Sequence, residues 1–131
     1  VMTALHRYLS RLHDTILSRH ELQIEELEVL DRSDRPGQAS EFYVRIRFPD
    51  GSQLQVGEKL VVERFAILKV RYAYHYQRAD DELVFRYDNV PHYPDIETYP
   101  HHKHVGDAVV PTRPPDLSEV LREIDGVMYT S

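Results

Sequence analysis

Leu68-Lys69-Val70-Arg71-Tyr72-Ala73-Tyr74-His75-Tyr76-Gln77, followed after a short polar break by Leu83-Val84-Phe85-Arg86-Tyr87-Asp88, has the pattern of a β-hairpin. Both runs alternate with period two, as strands with one buried face do. Leu68, Val70, Tyr72, Tyr74 and Tyr76 share one face of the first run, while Lys69, Arg71, Ala73, His75 and Gln77 share the other. A tight turn around Ala79-Asp80 sets Tyr76 opposite Leu83, Tyr74 opposite Phe85 and Tyr72 opposite Tyr87, an aromatic ladder suited to a core. On the reverse face the same register pairs Arg71 with Asp88, Ala73 with Arg86, and His75 with Val84.

Upstream of this hairpin, Phe42, Val44, Ile46 and Phe48 alternate with Tyr43, Arg45 and Arg47. After Pro49-Asp50-Gly51 the chain resumes with Leu54 and Val56. A three-residue loop with Gly51 in the left-handed position pairs Ile46 with Leu54 and Val44 with Val56. Gly57 to Glu63 continues or bends this strand, and Phe65 opens the next. Leu22 and Ile24, then Leu27 and Val29, keep period two but change phase at Glu25-Glu26, which predicts a bulged strand whose glutamates suit an exposed edge. Leu5, Tyr8, Leu9, Leu12, Ile16 and Leu17 recur at helical spacing and predict an amphipathic helix over residues 3–19.

Six of the eight prolines lie between Pro91 and Pro115, so that segment is expected to be extended loop with one short strand at Val105 to Val110. Asp116 then caps a last helix in a capping box with Glu119; Leu117, Val120, Leu121 and Ile124 form its apolar stripe, and Gly126 is its expected stop. The plan is α+β: an N-terminal helix, an antiparallel sheet of about five strands, and a C-terminal helix, with both helices on one face. The other face then collects Arg45, Arg47, Lys69, Arg71, His75 and Arg86 against the single acid Asp88.

At 131 residues the chain is expected to form a single domain over residues 1–131, large enough to bury a core unaided. It has no cysteine, which removes disulfide and thiolate chemistry and fits a reducing cytoplasm. No apolar run is long enough to cross a bilayer, and no leader is evident, so a cytoplasmic protein with no membrane association is expected. The net charge of −6 argues against indiscriminate coating of nucleic acid. Thirteen of the sixteen cations are arginines, the side chain suited to two-pronged contact with phosphate or carboxylate.

Five of the eight histidines, His75, His92, His101, His102 and His104, fall between residues 74 and 104 beside Arg86, Asp88 and Lys103. Imidazoles titrate near neutrality, exchange protons and bind metals, so this concentration marks a candidate site. His75, facing the cationic side, fits a general acid or base, against the plainer reading of a solvated strand histidine. Arg86 fits stabilisation of a phosphoryl oxygen, against a cross-strand ion pair. Asp88, opposite Arg71 in this register, is expected to pair with and orient that arginine, against a metal-ligand or general-base role. His102 and His104 alternate about Lys103, so in an extended backbone both imidazoles point one way. They supply either protons to a phosphate held by Lys103, or two ligands of a metal completed by His92, Asp88 or His75.

Tyr74-His75-Tyr76-Gln77, Phe85-Arg86-Tyr87-Asp88-Asn89-Val90-Pro91-His92 and Tyr99-Pro100-His101-His102-Lys103-His104, in this order, resemble the TumE-like toxin family. The resemblance is strongest over residues 68–110. It implies a toxin with a cognate helix-turn-helix antitoxin, and it brings no mechanism with it. A helix leading into an antiparallel sheet also resembles the small RNase toxins of the barnase and RelE type, a likeness of fold alone. The expected function is therefore a toxin acting on RNA as a metal-independent endoribonuclease without a cofactor. His75, Arg86, His102 and His104 are its expected catalytic residues, and Arg71, Asp88, His92 and Lys103 its expected substrate-binding residues. The rivals are a non-catalytic protein that blocks translation or another process, and a metal-dependent hydrolase built on the His/Asp cluster. The sequence leaves a homodimer open.

Overall fold

Thr3 starts the first helix by accepting a hydrogen bond from the His6 backbone N–H at 3.1 Å. In the computed structural model, which describes residues 3–64 and 66–129, this helix α1 spans Ala4–Leu17. Seven strands follow: β1 (Gln23–Leu30), β2 (Ser40–Arg47), β3 (Gln53–Glu63), β4 (Ala66–Gln77), β5 (Leu83–Asp88), β6 (His102–Val105) and β7 (Ala108–Pro111). Helix α2 closes the chain over Leu117–Tyr129. The strands form one antiparallel meander in sequence order, with β1 and β7 at its edges.

One apolar cluster joins the helices to one face of the sheet. It holds Ile16 of α1, Leu117, Val120, Leu121 and Ile124 of α2, and the inward residues of β2 to β5 from Phe42 to Tyr87. Arg19, just after α1, ties the helices together through an ion pair with Asp125 at 2.6 Å. The α+β plan with both helices on one face therefore stands, as do the β2–β3 register, the β1 bulge and the capping box. Gly51 has φ +84 in the β2–β3 turn, and a Cβ there would stand 3.1 Å from that of Ala79.

The sheet has seven strands rather than about five, because the proline-rich segment is not all loop. His102–Val105 adds to β5, turns at Gly106 with φ 56, and pairs with Ala108–Pro111 as a hairpin instead of one short strand. Gly126 does not stop α2, which runs on to Tyr129. Phe65 lies outside the described residues.

Two local features move the β4–β5 register. The turn holds three residues, Ala79 to Asp81, with Asp81 at φ 71, and a bulge follows at Val84, so Tyr76 faces Phe85, Tyr74 faces Tyr87 and His75 faces Arg86. Ala73, not Arg71, faces Asp88. Each feature slips the pairing by one residue in the same direction, so together they preserve which face every side chain takes. Tyr72, Tyr74, Tyr76, Phe85 and Tyr87 accordingly remain in the core.

A further bulge, at Val70, lies between the pairs Lys59–Arg71 and Leu60–Lys69. It turns Leu68 and Val70 outward, 42% and 46% exposed, and swings Lys69 to the helix side. There the Lys69 Nζ lies 2.6 Å from the Tyr74 hydroxyl and 3.4 Å from the buried Glu58 carboxylate. That carboxylate also accepts from the Tyr8 and Tyr74 hydroxyls, whose pKa values are pushed far up by burial and by its charge. The open face is thus less cationic than expected. It loses Lys69, and its outer arginines are neutralised from β1: Arg45 by Glu26 at 3.2 Å and Arg47 by Glu25 at 3.0 Å.

Candidate functional site

Strand pairing collects the polar residues of the open face into rows that run across the strands. One row reads Gln55, His75, Arg86 and His104; the next reads Gly57, Ala73, Asp88 and His102. Side chains directly opposite one another on an antiparallel pair lie close together, so five of the eight expected site residues form one cluster.

Asp88 is its anchor. The carboxylate is 3% exposed and accepts from the Arg86 Nε at 3.0 Å and the Val90 backbone N–H at 3.0 Å. The His102 Nε2 stands 2.9 Å from one oxygen and the His104 Nε2 3.5 Å from the other. A buried carboxylate tolerates its loss of water when its lone pairs are occupied in this way.

His102 is 1% exposed, with its Nδ1 2.9 Å from the Pro100 carbonyl oxygen. A carbonyl only accepts, so Nδ1 carries a proton there. The Nε2 then either carries a second proton, donated to Asp88, or presents a lone pair. His102 is thus buried between the Pro100 carbonyl and the Asp88 carboxylate. The Tyr93 ring lies edge-on over His102 and His104, with centroids 4.9 and 5.9 Å away.

His75 is held differently. Its Nδ1 lies 3.2 Å from the Arg86 Nη1, which only donates, so Nδ1 is an acceptor. Its Nε2 donates to the Gln77 side-chain oxygen at 3.0 Å, which fixes the tautomer. Burial and the Arg86 charge push its pKa down from the ordinary 6.5. His104 is also pushed down, by burial first, but the Asp88 charge opposes that shift and stabilises its protonated form.

Three expected site residues do not join the cluster. Lys103 faces the helix side, where its Nζ pairs with Glu123 at 2.6 Å and sits 4.9 Å from the centroid of the Tyr87 ring. His92 is exposed in the loop after β5, edge-on to Tyr93. Arg71 keeps the open face but belongs to another row, opposite Lys59, with its Nη1 3.4 Å from the Asn89 carbonyl. Gln77, Tyr93 and Asn89 have parts that the sequence reading did not give them. The Asn89 side chain accepts from the Tyr72 N–H at 3.0 Å and donates to the Val70 carbonyl at 3.1 Å, bracing β4 at its bulge.

The histidines also predict how stability depends on pH. His75, His101 and His104 all lie below 6.5 in the folded protein, each chiefly through burial. Below that pH the unfolded chain binds more protons at these groups than the folded one does, so acidification destabilises the protein. Glu21, Glu25 and Asp31 are depressed by hydrogen bonds from Arg19, Arg47 and Ser33, so their contributions persist until the lower carboxylate range. Melting temperature should therefore already decline between pH 7 and pH 5. A flat profile there, with loss only near pH 4, would contradict this account of the three histidines.

Asp88, His102 and His104 additionally offer three ligand atoms within 4.8 Å of one another, a spacing that suits a divalent transition metal. A family model described as toxin TumE matches residues 13–128 of the chain. No curated protein and no solved structure matches it.

Proposed function

The chain belongs to the TumE toxin family, and on that premise we propose that it acts by cleaving RNA without a metal, with a phosphate held by Arg86 between His75 and His104. Family membership implies an antitoxin partner, which we take to be a helix-turn-helix protein encoded alongside. The observation that carries the reading is the row in which Arg86 faces His75 on one side and His104 on the other. Cleavage by the internal 2′-hydroxyl requires a base, an acid and a cation at the phosphate.

His75 is the base. When Arg86 turns its Nη1 to the phosphate, the His75 Nδ1 is freed to take the 2′-hydroxyl proton, and Gln77 holds the ring. The 2′-oxygen forms its bond to phosphorus as the bond to the 5′-oxygen breaks. His104, across Arg86 from His75 in the same row, is the acid, and in its protonated form it gives its proton to the leaving 5′-oxygen. The products are a 2′,3′-cyclic phosphate and a 5′-hydroxyl. Asp88 and His102 position Arg86 and His104.

A second reading is favoured by one observation. If the His102 Nε2 presents a lone pair, it faces the lone pairs of Asp88, and a cation between them would relieve that repulsion. A metal held by Asp88, His102 and His104 would supply an activated water for hydrolysis.

Induced expression should arrest growth, and co-expression of the antitoxin should restore it. Pure protein should fragment RNA at full rate after chelation. Activity that vanishes on chelation and returns with stoichiometric metal would replace the first reading with the second. Growth arrest with intact RNA would replace both with a non-catalytic inhibitor.

A further inference from the structure

Beside the His75–Arg86–His104 row the open face sinks into a depression of about 600 Å³, within the roughly 300–1,000 Å³ range of small-molecule sites. Its floor is the cross-strand pair Gly57 and Ala73; Tyr43 flanks Gly57 on β2, and Arg71, Arg86 and Val90 form the opposite wall.

Gly57 is the informative residue. Glycine in the middle of a strand weakens it, and is kept where a turn, a bulge or a close approach requires it. Gly57 lies in regular pairing with both neighbours, has no left-handed backbone, and has nothing within 4 Å of where a Cβ would stand. The protein's own packing thus leaves room for a side chain at this position. An incoming ligand would use the space.

The walls define its chemistry. Tyr43 offers an aromatic side chain at one end, where Glu28 and Glu41 also stand, while Arg71 and Arg86 supply cations at the other. Glu41 is held by Arg32 at 3.2 Å and by Lys59 at 3.7 Å, so Glu28 is left as the acid of the Tyr43 end, and Arg71 and Arg86 draw a phosphate to the opposite wall. We propose that the depression is a nucleobase subsite for single-stranded RNA, with the base lying over Gly57 and Ala73 against Tyr43 and its phosphate directed to Arg86. This rests on the reading that RNA is the substrate. Aromatic stacking of single-stranded bases is the common physical basis of such sites.

The test is binding of a short, uncleavable 2′-O-methyl RNA, compared with the same strand carrying abasic positions, by fluorescence anisotropy. Removing the bases should weaken binding to the native protein about 5- to 100-fold, the range that stacking supports. Gly57→Val fills the depression without a clash at Cβ, and Tyr43→Ala removes the aromatic wall. Each should reduce affinity for the base-bearing strand to that for the abasic strand, while Gly57→Val keeps or raises the melting temperature. Equal affinity of the native protein for the two strands, including no binding to either, overturns the subsite; so does a Gly57→Val protein that binds like the native one. Base-dependent binding without cleavage would uphold the subsite and refute the nuclease. Cleavage without base dependence would do the reverse.

Discussion

His75→Ala is expected to lower RNA cleavage by about 10²–10⁴-fold, the usual contribution of a proton-transferring side chain. Its melting temperature should stay within a few degrees of native. The ring is only half-buried, and its contacts are to Gln77 and Arg86. Arg86 keeps its ion pair with Asp88 when His75 is gone. Activity assayed on protein of verified melting temperature separates catalysis from folding. Near-native cleavage by the folded variant would remove His75 from the mechanism.

The second large effect is structural and has no direct connection with chemistry. Phe85→Ala should cost about 3–5 kcal/mol. The ring is 2% exposed and packs between Tyr76 and Tyr87, with centroids 5.4 and 5.5 Å away, and Lys103 lies over its face. For a domain of this length that loss corresponds to roughly 10–20 °C in melting temperature. It is also a large fraction of the roughly 5–15 kcal/mol that holds a typical domain together. Loss of toxicity in this variant should track loss of soluble folded protein. A Phe85→Ala protein that melts like the native one would show that the aromatic ladder is not the core of the sheet.

These two residues were legible because face assignment follows from alternation alone. Alternation sets His75 and Arg86 on the open face and Phe85 in the core, although the strands pair two residues away from the register that a two-residue turn predicts. Two single-residue slips in one direction restore the parity, so the shift changes partners and leaves faces intact. Lys69 shows the opposite case. A single bulge at Val70 reverses parity, and a residue expected beside Arg71 ends against Tyr74 on the helix side.

Lys103 parts from its neighbours for a different reason. The same alternation that sets His102 and His104 on one side of a strand sets the residue between them on the other. The central contact of the site, Asp88 with His102, depends on β6 adding to β5 after a proline-rich excursion of thirteen residues between them. Nothing in local periodicity marks a partner across such a loop. Glu58 carried a clearer signal: an acid at an inward position between Val56 and Leu60 must find buried partners, and it finds Tyr8, Tyr74 and Lys69.

In the proposed reaction a phosphate is attacked by the neighbouring 2′-oxygen, with His75 and His104 moving the protons. The most direct measurement is the chemistry of the RNA ends produced by the pure protein in the presence of a chelator. The expected ends are 2′,3′-cyclic phosphates and 5′-hydroxyls, formed at the same rate with and without the chelator. RNA left intact, or cut to 3′-hydroxyl and 5′-phosphate ends only when metal is supplied, would contradict it.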